Sequence, residues 1–265
     1  MARYPRQDDK GGKNVIPSVT EIIGDCTDKS APLTQWAANM TVEWIRENHL
    51  PLNDDDGIYY EVDDSKLNEA RFNFKKVSQK ALDIGSEVHK LIEAYLLTIM
   101  KSNCMSVAIM HGFIQDARPE VNNAFNAFLQ WKEEHNLKPI ALEQTVYGDG
   151  WAGTLDFYGY FGDRLYVIDW KSSKAHYPEM RYQVAAYRWA MDEKIYDDNV
   201  GGELWLKDRT IPEIDGCGVL RLDKETGLPD WKDTSKSYEQ DLRIFNRMVD
   251  LYFERHPIIR KRARG

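Results

Sequence analysis

Residues 151–171 read WAGTLDFYGYFGDRLYVIDWK. Two runs rich in aromatic and β-branched residues flank Gly162-Asp163, the composition of two strands joined by a two-residue hairpin turn. Such a turn sets Phe161 opposite Arg164, and each further pair steps one residue along both strands, which brings Asp156 opposite Asp169. The side-chain period of two then predicts Thr154, Asp156, Asp169 and Lys171 on one face, with Leu155, Phe157, Ile168 and Trp170 on the other. Two carboxylates facing each other on a sheet repel by roughly 0.2–1 kcal/mol when exposed and by more when buried, so the pair calls for a cation. Hard oxygen donors on neighbouring strands suit Mg²⁺ or Mn²⁺, which keep positions open for water and phosphate. Lys171 beside them is placed to orient a water or to offset charge that develops on phosphorus. For a single Asp-x-Lys the alternative is a surface salt bridge from Asp156 to Lys171, with Asp169 solvated at a strand end.

Outward from this hairpin, residues 139–148 form a third strand carrying Glu143, which reads equally as a further acid near the metal or as a solvated strand residue. Residues 179–194 return to a helical period, 202–207 and 217–222 are short strands, and 236–255 is an amphipathic helix before the basic end RKRAR at 260–264. Towards the N-terminus, helices cover 119–135 and 64–98, with Gly85 as a break point in the second. A further helix runs from Pro32 to about Asn48, with Leu33, Trp36, Ala37, Met40, Val42, Trp44 and Ile45 as its apolar face. Trp36, Trp44 and Trp131 read as packing residues. Residues 53–60 read as an acidic surface loop and 1–14 as a flexible arm. The sum is an α/β domain over 15–265, with a helical part at 15–136, a small sheet and helix at 137–222, and a C-terminal helix and basic tail at 223–265.

The chain has 265 residues, 42% hydrophobic and 29% charged, which fits a chain with its own core. Its 35 Lys+Arg against 43 Asp+Glu give a net charge of -8, which excludes a protein coated in positive charge and confines phosphate attraction to patches such as Lys75-Lys76 or 260–264. Cys26, Cys104 and Cys217 make no CxxC spacing, so no disulfide framework or sequence-local metal cluster is expected and a reducing, cytoplasmic setting fits. No apolar run has the ~18 residues of a membrane span.

Four short motifs stand in order: Gly85-Ser-Glu-Val-His89 on a helix, Gly153-Thr-Leu-Asp156 and Asp169-Trp-Lys171 on strands, and Gln183-Val-Ala-Ala-Tyr187 on the next helix. Together they resemble the RecB-like branch of the PD-(D/E)XK nuclease superfamily, with its phage-type and mitochondrial genome maintenance exonucleases. The resemblance implies a restriction-endonuclease-like core with a small mixed central sheet flanked by helices. It implies His89, Asp156, Asp169 and the Trp170 backbone carbonyl as metal ligands, Lys171 as the catalytic lysine, and Gln183 and Tyr187 as residues that support the site and meet the nucleic-acid backbone. The activity implied is a Mg²⁺- or Mn²⁺-dependent exonuclease acting on DNA ends with single-strand preference, with replication or recombination proteins as further partners. A structure-specific endonuclease and a non-catalytic DNA-binding scaffold are the other readings. Leu155 stands where the superfamily's name has proline, and the cysteines of its iron–sulfur members are missing, so no such cluster is expected.

Spacing adds detail. His89 and Glu93 lie four apart on one helix face, so the carboxylate can buttress the imidazole or bind a water, although a lone helical histidine is more often structural. Gln183 and Tyr187 likewise share a face, suited to a phosphate or equally to a core tyrosine with a satisfied hydroxyl. Ser172 reads as a phosphate contact or as the start of a turn.

Overall fold

Backbone pairing begins close to the N-terminus. The structure, a computed structural model, describes residues 4–7, 13–54, 57–100, 117–193 and 213–259. Strands β1 (Tyr4–Gln7) and β2 (Lys13–Ile16) pair antiparallel where the sequence predicts an arm through residue 14. Ladder hydrogen bonds need no apolar side chains, so an argument from missing hydrophobic residues overlooks them. Helix α1 (Val19–Cys26) starts at Ser18, whose Oγ accepts the Glu21 N–H at 3.0 Å. Ser18 also bridges to Ala152, which ties the start of α1 to the central sheet.

The chain divides into two compact units, Thr27–Ile84 and the remainder. The boundary falls inside a continuous helix, so no linker composition marks it. The smaller unit holds α2 (Ser30–Asn48), strands β3 (Leu52–Asp54) and β4 (Gly57–Tyr59), and the first half of α3 (Asp64–Met100). The β3–β4 hairpin replaces the predicted loop at 53–60, its register pairing Asp54 with Gly57 across two positions outside the described residues. Trp36 meets Phe74 edge-on at 6.4 Å and Asn73 Nδ2 donates to the Met40 carbonyl at 3.0 Å, so α2 and α3 pack on each other. Val42 is 47% exposed because α2 presents one stripe to α3 and this residue lies off it, whereas Leu33, in line with Met40 and Trp44, is 54% exposed near the start of the helix. Helix α3 runs unbroken through Gly85. The glycine serves close approach: a Cβ there would stand 3.3 Å from the Ser172 hydroxyl.

In the larger unit, α4 (Pro119–His135) precedes β5 (Leu137–Gly148), β6 (Trp151–Phe161) and β7 (Arg164–Lys171). Next come α5 (Pro178–Asp192), β8 (Gly216–Leu222), β9 (Pro229–Asp233) and α6 (Tyr238–Arg255). The five strands form one mixed sheet in the order β5-β6-β7-β8-β9, antiparallel except for the parallel β7–β8 pair. Strand β9 lies in the stretch expected to hold only a helix and tail. Its sequence PDWKD has the proline and charges of a sheet edge rather than the composition of a buried strand. Helices α1, α5 and α6 cover one face, where Val19, Leu155, Tyr158, Val167, Val184, Val219 and Phe245 are fully buried. On the other face α4 lays Phe128 against Trp170 at 5.4 Å and Trp131 against Phe161 and Trp231, each at 5.2 Å. The predicted strand at 202–207, Cys104 and the basic run 260–264 lie outside the described residues. Among those described, no helix is long and apolar enough to cross a membrane.

The predicted turn register holds from Phe161↔Arg164 to Phe157↔Ile168, and there the β6–β7 ladder ends although both strands continue. Beyond it β6 pairs with β5 and β7 with β8, so the sheet forks at Asp156 and Asp169. The predicted alternation breaks at the same place. Leu155 joins the core cluster of Tyr158 and Val167, whereas Phe157 packs against Trp170 at 5.7 Å on the opposite face.

Candidate metal centre

The fork is held open by a side chain. Asp156 Oδ2 accepts the backbone N–H of Trp170 at 2.7 Å, in place of the ladder bond that the parting strands no longer make. Its Oδ1 lies 3.3 Å from His89 Nδ1, brought in by α3. Glu143 Oε1 approaches the same nitrogen to 3.9 Å from β5. Glu143 sits between the pairs Leu142↔Phe157 and Gln144↔Leu155, level with Asp156, and its φ is 47°, a left-handed backbone that costs a glutamate about 1–2 kcal/mol. Across the fork, Lys171 Nζ is 2.5 Å from Asp169 Oδ2, a buried atom that accepts no further hydrogen bond among the described residues. The sequence predicts the Asp156–Asp169 pair as the grip on a metal, but the groups that converge are His89, Glu143 and Asp156, while Asp169 turns to Lys171.

One donor atom from each of His89, Glu143 and Asp156 lies within 4.8 Å of the others. Donors around a single ion are separated by at most two metal–ligand bonds, roughly 4–5 Å, so this group has the spacing to hold one. The electrostatics agree. Burial penalises charge on His89, but the Asp156 carboxylate, with its hydrogen bond and that of Glu143, outweighs this and pushes the imidazole up to about 10. Burial also works against charge on Asp156, and His89 and Lys171 hold it below the usual carboxylate range. For Asp169, burial together with the Asp156 charge outweighs Lys171 and lifts it to about 6. Glu143 is raised by burial and by the neighbouring Asp156 and Glu93 charges. Lys171 loses solvation but gains more from Asp169 and Asp156, so its ammonium is kept. A ligating imidazole must be neutral, which leaves three acids, Glu143, Asp156 and Asp169, against one ammonium. The acids outnumber the ammonium, and a bound cation would offset that excess of negative charge.

The remaining candidates line the surroundings. Glu93, one turn beyond His89 on α3, acts on the Glu143 charge. Gln183 Nε2 donates to the Tyr187 hydroxyl at 3.0 Å, as their spacing on α5 predicts. Tyr187 is buried, with its ring over Gly153, where a Cβ would stand 2.4 Å from a ring carbon. Ser172 lies against α3 at Gly85, and Trp170 offers its amide to Asp156. The segment after Lys171 is pinned by Arg221, level with Lys171 on β8, which donates to the Lys174 carbonyl at 3.3 Å and pairs with Asp223 and Asp230. Glu87 pairs with Arg118 at the start of α4 and so anchors the His89 turn of α3. Neither Arg221 nor Arg118 carries a sequence signal, because their partners come from distant segments. No family model matches the chain, and no curated protein matches it.

Proposed function

We propose that the chain is a metal-dependent nuclease hydrolysing phosphodiester bonds of DNA, working from free ends with a preference for single strands, on a restriction-endonuclease-like core. The observation that carries this reading is the cluster of acids at the sheet fork, where buried Asp156 and Asp169 and half-buried Glu143 face one ammonium beside a histidine. Two carboxylates and an imidazole suit Mn²⁺, with Mg²⁺ as the harder alternative. A dication held by His89, Glu143 and Asp156 supplies Lewis-acid polarisation of a phosphoryl oxygen and lowers the pKa of water. Asp156 fixes the fork through the Trp170 amide and keeps its charge. Lys171 keeps its proton, paired with Asp169, and presents positive charge where negative charge accumulates on phosphorus. Asp169, lifted to about 6, holds that ammonium in place.

The test uses end-labelled single-stranded and duplex DNA and closed circular single strands, each with Mg²⁺, Mn²⁺ or EDTA. Linear single strands should be shortened from an end with Mn²⁺ and left whole with EDTA, and Lys171→Ala should lower the rate roughly 100- to 1,000-fold. Cutting of the circles would favour an endonuclease. Binding of DNA without cleavage under every metal would make the chain a scaffold.

A further inference from the structure

The smaller unit buries little apolar surface. Ten of the fifteen large hydrophobic side chains that are prominently exposed belong to it, and among hydrophobic residues Trp44, Ala70 and Ile84 are its buried ones. On α3 this exposure meets charge. Between positions 66 and 80 the helix carries Lys66, Arg71, Lys75, Lys76 and Lys80 against the single acid Glu69, in a chain whose net charge is -8. Phe72 lies in this stretch, 41% exposed, with the Lys75 ammonium 4.7 Å and the Arg71 guanidinium 5.3 Å from its ring centre. At 100° per residue, Phe72, Lys75 and Lys76 fall on one side of the helix. The packed residues Ala70 and Phe74, the latter against Trp36, fall on the other.

We infer that this outward side of α3, centred on Phe72, Lys75 and Lys76, is a binding surface for single-stranded nucleic acid. It deepens the nuclease reading and rests on it for a polynucleotide substrate, while using residues that take no part in the metal centre. An exposed phenylalanine gains nothing from water, and cations alone are served by any polyanion. The two together fit a partner that alternates phosphate with an unpaired aromatic face. Bases in a duplex stack on each other and cannot occupy the ring. An apolar protein groove would accept Phe72 and reject the lysines around it. When a base stacks on the ring, the ammonium and guanidinium that cover it are released to neighbouring phosphates, so the exposed cation–π contacts are exchanged for stacking and ion pairing together.

Fluorescent dT20 titrated with the full chain in EDTA tests this by anisotropy, with Lys171→Ala as host so that cleavage has no part in the reading. Phe72→Ala should weaken binding roughly 5- to 100-fold, the loss of one stacked base, and Phe72→Trp should restore it and add fluorescence quenching on binding. Lys75→Gln with Lys76→Gln should flatten the slope of log K against log salt by about 1.4. Equal affinity of the Phe72→Ala protein for dT20 overturns the inference, as does equal dependence on Phe72 for blunt duplex or for anionic lipid vesicles. Failure of the nuclease reading shows separately, as absence of cleavage by the native chain with Mn²⁺ while dT20 binding still depends on Phe72.

Discussion

At the scale of single residues, Glu143 shows how function is set against stability. Its left-handed backbone and its burial beside Asp156 both raise the energy of the metal-free fold. Asn tolerates that backbone and carries no charge. Glu143→Asn should therefore raise the melting temperature of the metal-free protein by about 2–4 °C, for ~1 kcal/mol, and cut the further rise produced by Mn²⁺ to less than half. A lower melting point together with an unchanged Mn²⁺ response would refute this. His89 gives a pH dependence whose sign follows from its direction. Its pKa is about 10 in the metal-free fold against an ordinary 6.5, so its contribution to stability is complete below 6.5 and is lost as pH rises towards 10. Asp169, raised from 3.8 to about 6, loses its contribution over that lower interval in the same sense. Because a ligating imidazole has to give up its proton, the melting-point increment from Mn²⁺ should be larger at pH 8.5 than at pH 6. Calorimetry at the two pH values decides it, and an increment that shrinks with pH removes His89 from the ligand set.

At the scale of elements, two glycines that look alike in sequence should behave differently. A Cβ on Gly153 would enter the buried Tyr187 ring at 2.4 Å, so Gly153→Ala should cost roughly 1–3 kcal/mol as α5 is pushed off β6. At Gly85 the neighbour is the end of a rotatable serine at 3.3 Å, and alanine favours the helix by up to about 1 kcal/mol, so Gly85→Ala should hold or raise the melting temperature. Thermal melts of the two variants compare these directly. The same elements show what a sequence can reveal. Strands β6 and β7 and helix α4 have the predicted bounds, because period and turn chemistry are local properties. The positions of Asp156 and Asp169 on neighbouring strands were legible for the same reason. The fork between them was not, since it depends on where two strands stop pairing; the nearness of Lys171 to Asp169 follows from the repeat of two, but the partnership of Glu143 with His89, which joins β5 to α3, does not. Strand β9 escaped because an edge strand draws its pairing from β8 rather than from its own composition.

At the scale of the whole molecule, protection from solvent should be uneven. The sheet between α4 and α5 is lined by side chains with almost no exposure, whereas α2 has Trp44 as its buried residue. Backbone amides of α2 should exchange with deuterium at least about 100-fold faster than those of β7, and equal protection would show that the smaller unit is as firmly held as the sheet. The parallel pairing of β7 with β8 has a bearing on how the chain reaches this state. Partners such as Tyr166↔Gly216 and Lys171↔Arg221 stand 50 positions apart, while β5, β6 and β7 meet across short turns. Loop-closure entropy makes the nearby meander the early event and the docking of β8 the late one. During synthesis the three-stranded piece thus stands with the β8 side of β7 unpaired, a strand edge open to other nascent chains until β8 docks.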